Sequence, residues 1–228
     1  MIRKDITEKE LYERTISLVR EHLDDINPDI LNFIMMNWND KIAVDVLLEA
    51  YDEMDVLAEE TNVYSGFLEA MKSQFDINQD IIEVGAGIFP CLARRIVKEQ
   101  TIGRVTVYDP NLVLQDYNLE GLILRKEMFR EDTPVGKAKL LVGMSPCHSM
   151  DLILKRAGEE GLDFMIKVCQ CELAYSSDDS LVIKTMFDEY LNEKNNFYKK
   201  YGRGNFEVTY LEEKYQDPSP IVYSKKRM

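Results

Sequence analysis

Two acidic residues flank a pair of glycines in a pattern that can bind a nucleoside. Glu83 lies in an apolar run just before Gly85 and Gly87, and Asp109 follows further along the chain. Glycine has no Cβ, so the backbone can turn tightly there and approach a ligand closely. A carboxylate about twenty residues after such a turn can accept hydrogen bonds from both hydroxyls of a ribose. We therefore predict ligand contacts from Glu83, Gly85, Ala86, Gly87, Asp109 and Pro110.

The glycine turn needs a strand before it and a helix after it. Ile81, Ile82 and Val84 form a short apolar run, which is typical of a central parallel strand buried on both faces. The pattern over 88–98 predicts a helix whose N-terminus points at the ligand, and Pro90 is tolerated in its first turn. A strand, a glycine turn and a helix together indicate the nucleotide-binding corner of a doubly wound sheet.

Two features of this corner distinguish between nucleotides. A dinucleotide fingerprint has a third glycine at the position of Pro90, and Glu83 suits a ligand with an amino group better than one with phosphates. An acidic residue before Gly85-x-Gly87 resembles motif I of the class I S-adenosylmethionine-dependent methyltransferases. The resemblance implies S-adenosylmethionine as the cofactor. For Asp109, the spacing favours the ribose role over that of a turn residue before proline.

Strands and helices alternate along the rest of the chain. We predict strands at 104–108, 122–129, 138–144, 162–171, 205–212 and 221–224, and helices at 149–160 and from 177 or 178 to 201. The connection between the last two strands is too short for a crossover, so they form an antiparallel hairpin. The predicted fold class is α/β, a Rossmann-like doubly wound seven-stranded sheet with a C-terminal antiparallel hairpin. This order also resembles that of the class I methyltransferases.

The first 76 residues predict a helical region ahead of the sheet. Apolar residues at helical spacing indicate helices at 8–24, 29–38, 41–60 and 62–75. These helices can cover a ligand cleft, extend the core or form a homodimer, and the pattern leaves these alternatives open. We predict an N-terminal helical cap over residues 1–76 and a methyltransferase-like Rossmann domain over 77–228.

The class I methyltransferases that this sequence resembles hold the methyl acceptor at the tip of the fourth strand. Ser145-Pro146-Cys147-His148 partly resembles the Asp/Asn/Ser-Pro-Pro-Tyr/Phe signature of amino-group methyltransferases, without its second proline and its aromatic residue. His148 suits a general base, since an unperturbed imidazole has a pKa of about 6.5. An equally good interpretation is a polar residue at the start of a helix. We predict catalytic roles for His148, Ser145 and Glu172, the last of which follows the fifth strand.

Two further residues are predicted at the cofactor. Class I methyltransferases often place an acidic or amide residue after the third strand against the adenine amino group, and the resemblance implies this role for Asp132. A solvated loop carboxylate is an equally good interpretation of Asp132. Met144 lies at the end of the fourth strand, where the carboxyl ends of parallel strands form the ligand cleft.

The composition limits the partners. A net charge of -13 creates a field that repels nucleic-acid phosphates, so we predict no nucleic-acid partner. No apolar run approaches the roughly 18 to 20 residues of a membrane span, and the N-terminus is too polar for a signal peptide. We therefore expect a cytoplasmic protein without a membrane partner. The four cysteines and two histidines lack the spacing of a zinc site, and we predict no metal.

The resemblances imply a transferase. We predict a methyltransferase that acts on a small-molecule or protein acceptor, and one alternative is a protein of this fold that has lost catalysis and binds cofactor or forms oligomers. The Gly-x-Gly-x-x-Pro spacing that ends at Pro90, with Ser145-Pro146, is similar to a group of small archaeal methyltransferase-like proteins. The same spacing with 141–144 resembles nicotianamine synthases, which transfer the aminobutyryl group of S-adenosylmethionine. Pro90 and the terminal hairpin disfavour a nicotinamide oxidoreductase.

Overall fold

The computed structural model describes residues 5–21, 44–146, 149–169, 180–201, 204–215 and 217–224. The strands in this part of the chain are β1 (Ile81–Val84), β2 (Val105–Tyr108), β3 (Leu122–Arg125), β4 (Leu140–Met144), β5 (Asp163–Lys167), β6 (Phe206–Tyr210) and β7 (Pro220–Ser224). The α-helices are α1 (Glu8–Glu21), α2 (Val44–Glu53), α3 (Val63–Gln74), α4 (Cys91–Glu99), α5 (Met150–Glu160) and α6 (Ser180–Lys199). Short 3-10 helices lie at Glu59–Thr61 and Glu213–Tyr215.

Seven strands of the described chain form one mixed sheet. Their order is β3-β2-β1-β4-β5-β7-β6. The first five strands pair in parallel, whereas β7 runs antiparallel to both β5 and β6. The predicted Rossmann-like sheet with its antiparallel hairpin is therefore confirmed. The strand order reverses beside β1, and such a reversal opens a crevice at the carboxyl ends of the strands.

Successive apolar side chains along the strands point to alternate faces of the sheet, and both faces are buried. Ile81 packs in a cluster that also contains buried residues of α1, α2, α3 and α4, and Ile82 packs with those of α5 and α6. Adjacent side chains on a strand point to opposite faces, so each face of the sheet receives its own set of apolar side chains. The N-terminal helices therefore share a continuous core with one face of the sheet.

The helix after the glycine turn begins at Cys91 rather than at 88, which corrects the prediction. The carbonyl of Ile88 accepts the Val113 N–H (2.9 Å) in the loop after β2, and the Phe89 carbonyl accepts the Cys91 N–H (2.8 Å). These two carbonyls therefore accept bonds outside the helical pattern, in which a carbonyl accepts from the fourth residue along the chain. Pro90 precedes the helix as its N-cap instead of lying in the first turn.

The helix predicted at 41–60 ends early, at Glu53. Asp55 adopts a φ of 55°, the Val56 N–H donates to the Tyr51 carbonyl, and the Asp55 N–H donates to the Asp52 carbonyl (both 3.0 Å). This pair of bonds around a left-handed residue is a Schellman motif, which stops a helix. The helix predicted at 29–38 lies outside the described residues. The strand predicted at 122–129 also ends early, at Arg125, whose carbonyl accepts the Glu127 N–H (2.8 Å) in a tight turn.

A buried polar network connects α2, α3 and α4. The Asp52 carboxylate accepts two hydrogen bonds from the Arg95 guanidinium (both 2.7 Å) and one from Asn62 Nδ2 (2.7 Å). Asn62 Oδ1 in turn accepts the N–H groups of Tyr64 (2.9 Å) and Ser65 (3.4 Å) and so caps α3. One amide side chain therefore satisfies both a helix end and a buried carboxylate.

We predict that Asn62→Ala lowers the free energy of unfolding by about 2 kcal/mol. The loss combines a missing N-cap, which costs about 1 kcal/mol, with a similar cost for a buried carboxylate that loses one donor. Urea unfolding measures the change. Ser73→Ala is the control because the Ser73 hydroxyl is exposed on the same helix, donates to the Ala70 carbonyl and accepts a hydrogen bond from Gln74, with no part in the buried network. Equal stability of the two variants would contradict the prediction.

Candidate functional site

The glycine turn after β1 adopts a conformation that requires glycine at two positions. Gly85 and Gly87 have φ angles of 72° and 82°, in the left-handed region. A Cβ on Gly85 would lie 2.9 Å from the Cα of Pro146, in the loop after β4. The turn can therefore pack directly against the backbone of that loop, and it brings the ends of β1 and β4 together.

Asp109 joins the tip of β2 to the glycine turn. Its Oδ2 accepts the Gly87 N–H (3.0 Å), and its Oδ1 accepts the Asn111 N–H (2.7 Å). Burial raises the pKa of Asp109, and the hydrogen bonds from Asn111 and Gly87 act in the opposite direction. The bond to Asn111 is that of a turn aspartate, while the bond to Gly87 places the carboxylate beside the turn. The ribose role of Asp109 remains a prediction.

A cavity of about 390 Å³ lies at the carboxyl ends of β1, β2 and β4. Eight of the residues predicted from the sequence lie together at the wall of this cavity: Glu83, Gly85, Ala86, Gly87, Asp109, Pro110, Met144 and Ser145. Asp132 is exposed and is not among the residues that line the cavity. His148 and Glu172 lie outside the described residues.

A second depression, of about 480 Å³, lies at the opposite end of the sheet. Its walls include Asp80, Gly103, Arg104 and Lys137, which precede the strands rather than follow them. Ligands of open α/β sheets bind at the carboxyl ends of the strands. The cavity at the glycine turn is therefore the candidate site.

Glu83 lines the cavity from a buried position. Its Oε2 accepts the Ala93 N–H of α4 (3.0 Å), and its exposed fraction is 1%. Burial raises the pKa of Glu83 to about 8, and the charge of Asp109 adds to this shift while the Ala93 hydrogen bond opposes it. The carboxyl group is therefore protonated at neutral pH. Its predicted contact with a ligand amino group remains a prediction.

Some residues that line the cavity belong to the N-terminal helices and were not predicted from the sequence. Glu49 of α2 and Val63 and Tyr64 of α3 line the cavity. Glu49 Oε2 accepts the N–H groups of Ile88 (2.6 Å) and Phe89 (3.4 Å). An acidic residue within an amphipathic helix was the available signal, but it did not reveal a partner in the glycine turn.

Ser145 at the end of β4 contacts a buried lysine. Lys167, 2% exposed at the end of β5, donates to Ser145 Oγ (3.0 Å) and forms an ion pair with Asp217 Oδ2 (3.0 Å). An ammonium group can only donate, so the Ser145 oxygen is the acceptor and its hydroxyl hydrogen points elsewhere. Ser145 also has a φ of 58°, a strained conformation for a residue with a side chain. A lysine within an apolar strand was the sequence signal for this contact.

Two further properties concern metals and membranes. No group of three histidine, cysteine or acidic side chains that could hold a metal ion occurs within the described residues. In the same part of the chain, every helix is too short or too polar to span a membrane.

The strand order, the antiparallel β7 and the glycine turn joined to Asp109 define a class I methyltransferase-like fold. Similar solved structures include human N-acetylserotonin methyltransferase in complex with S-adenosylmethionine, at 14% identity over 97% of this chain and 68% of that chain, with a TM-score of 0.49. Magnesium protoporphyrin IX methyltransferase from Synechocystis with bound S-adenosylhomocysteine is 8% identical over 91% and 98% of the two chains, with a TM-score of 0.48. A candidate S-adenosylmethionine-dependent methyltransferase of Methanococcus maripaludis is 14% identical over 79% and 92%, with a TM-score of 0.49. No protein-family model and no curated protein matches the sequence.

We predict that Glu83→Gln removes a pH-dependent loss of stability. In the folded protein the pKa of Glu83 is about 8, above the ordinary value of 4.5. The stability that protonated Glu83 contributes is therefore fully present below pH 4.5 and is lost as the pH rises to about 8. Glutamine does not titrate and can still accept the Ala93 N–H. The stability advantage of the variant over the wild type should therefore grow across this window by about 1.4 kcal/mol per pH unit. Urea unfolding at several pH values measures it, and a difference independent of pH would contradict the prediction.

Proposed function

We propose that the protein binds S-adenosylmethionine in this cavity and transfers its methyl group to a small-molecule or protein acceptor. The observation that carries the proposal is the hydrogen bond from the Gly87 N–H to Asp109 Oδ2 (3.0 Å), which holds a buried carboxylate beside the glycine turn. A carboxylate at the tip of β2 is suited to both hydroxyls of a ribose. The turn in turn allows a nucleoside to approach the backbone closely.

Charge and aromatic contacts support this cofactor over a dinucleotide. Glu49 and Asp109 line the cavity, where carboxylates attract a sulfonium and an ammonium but repel a diphosphate. Tyr108 and Phe129 also line it, and their rings meet edge to face with centroids 5.5 Å apart. Aromatic faces stabilise a nearby cation such as a sulfonium.

The cofactor supplies an electrophilic methyl group on a positively charged sulfur. The chain has to hold the nucleophile in line with that methyl group and exclude water. We assign the first task partly to Ser145, whose hydroxyl hydrogen can be donated to the acceptor because Lys167 occupies its oxygen. Val63 and Tyr64 supply part of the cover. His148 as general base and Glu172 in the acceptor pocket remain predictions.

The proposal also assigns roles to the N-terminal and C-terminal parts of the chain. The predicted helical cap over residues 1–76, on a domain formed by 77–228, is part of the proposal, and it is supported by the contribution of α2 and α3 to the cavity wall. The homodimer through the N-terminal helices and the exclusion of nucleic acid remain predictions from the sequence.

We predict that the purified protein binds S-adenosylmethionine and S-adenosylhomocysteine but not NAD. The reason is the negative charge of the cavity, which disfavours the diphosphate of NAD. Calorimetric titration with the three compounds measures this. Binding of NAD alone would overturn the proposal, and so would binding of none of the three.

We predict that Asp109→Ala abolishes binding of S-adenosylhomocysteine while the fold is retained. The variant removes the carboxylate proposed to accept the ribose hydroxyls. Asp116→Ala is a matched control, because Asp116 accepts the N–H of Asn118 (2.8 Å) in the same type of turn but is exposed and is not among the lining residues. Calorimetry of both variants, with circular dichroism as the folding check, measures the effect. Unchanged affinity of the Asp109 variant would contradict the ribose assignment.

Product analysis separates the proposed reaction from the alternatives. Methyl transfer breaks the bond between sulfur and the methyl carbon and releases S-adenosylhomocysteine. Aminobutyryl transfer breaks a different bond to sulfur and releases 5′-methylthioadenosine. Cofactor binding without either product, across a panel of small amines, thiols and peptides, would favour a protein that has lost catalysis.

A further inference from the structure

Glu49 occupies a position at the glycine turn that usually serves a ligand anion. In doubly wound folds, the backbone N–H groups between the first strand and its helix bind phosphate or carboxylate. Here three successive N–H groups donate to carboxylates of the chain itself. The Gly87 N–H donates to Asp109 Oδ2 (3.0 Å), and those of Ile88 and Phe89 donate to Glu49 Oε2 (2.6 and 3.4 Å).

The Glu49 carboxylate lies in contact with the turn and at the wall of the cavity. A Cβ placed on Gly87 would collide with Glu49 Oε1, so the carboxylate fills the space that the missing side chain leaves. Glu49 lines the cavity together with Gly87 and Asp109. A ligand that enters this end of the cavity therefore meets a carboxylate and not a set of amide donors.

Several contacts of α2 hold Glu49 in this position. Asp52 pairs with Arg95 at two distances of 2.7 Å, and Glu53 pairs with Arg94 and accepts from Gln115 (2.8 Å). The Glu49 carbonyl also accepts the Cys91 thiol (3.7 Å), so its own backbone is tied to α4. A side chain whose backbone is fixed in this way is preorganised for a ligand.

We infer that Glu49 determines specificity for a cofactor whose tail carries an ammonium group. The inference rests on the proposed function and adds to it the residue that selects the amino-acid end of S-adenosylmethionine. The carboxylate accepts hydrogen bonds from the α-ammonium and, by occupying the turn amides, denies them to phosphate. Glu49 thus converts an anion-binding turn into the end of the cavity that receives a cation.

The test compares two ligands that differ in the tail. S-adenosylhomocysteine has the α-ammonium, and 5′-methylthioadenosine has the same adenosyl thioether without the amino-acid group. Glu49→Gln keeps an oxygen that can accept the Ile88 N–H and removes the charge. We expect this variant to bind S-adenosylhomocysteine about tenfold more weakly and 5′-methylthioadenosine with unchanged affinity, because a hydrogen bond to a charged group is the one weakened.

Glu69→Gln is the matched control. It removes one charge from the neighbouring helix α3, but Glu69 is exposed, contacts Lys72 and is not among the residues that line the cavity. The control should bind both ligands as the wild type does. Retained binding of 5′-methylthioadenosine by the Glu49 variant shows at the same time that its adenosine end is folded.

The outcomes distinguish failure of this inference from failure of the proposed function. If the wild type binds both ligands and the Glu49 variant binds S-adenosylhomocysteine equally well, the inference alone is wrong. A tighter complex with the variant would also overturn it, since Glu49 would then compete with the ligand carboxylate for the turn amides. If the wild type binds neither ligand, the proposed function fails and the inference fails with it.

Discussion

The candidate site depends on three backbone N–H groups at the glycine turn and on the carboxylates that accept from them. Buried N–H groups need acceptors, and here the acceptors come from the tip of β2 and from α2. Asp109 and Glu49 are distant in sequence from each other and from the turn. By meeting these donors, the two side chains bring a strand end and an N-terminal helix to the same cavity.

The N-terminal helices are held on the sheet by two kinds of interaction. Apolar residues of α1, α2 and α3 are buried in the core on one face of the sheet. This burial supplies most of the free energy that holds the helices there. The orientation of α2 is set by charge, since Asp52 and Glu53 pair with Arg95 and Arg94 on α4. Partly buried ion pairs contribute little net stability for their number, but removing one partner is costly. This arrangement fixes where α2 presents Glu49.

Polar groups that are costly to bury concentrate around the cavity. Glu83 is protonated at neutral pH because its burial raises its pKa to about 8, and burial also raises the pKa of Asp109. Lys167 is buried beside Ser145, which adopts a left-handed backbone conformation. A core built for stability alone would avoid such groups, and their concentration at the carboxyl ends of the strands is typical of a functional site.

The sequence by itself determined the strand at β1, the glycine turn, the seven-stranded sheet and the closing hairpin, because apolar runs, glycines and short connections are local patterns. Asp109 was placed near the turn by its spacing within one strand-helix-strand unit. Only the tertiary structure decided the start of α4, the end of α2 at Glu53 and the contacts of Glu49 and Lys167. Each of these positions depends on hydrogen bonds or ion pairs whose partners are set by packing. Local periodicity carries no information about which distant donor a buried carboxylate will meet.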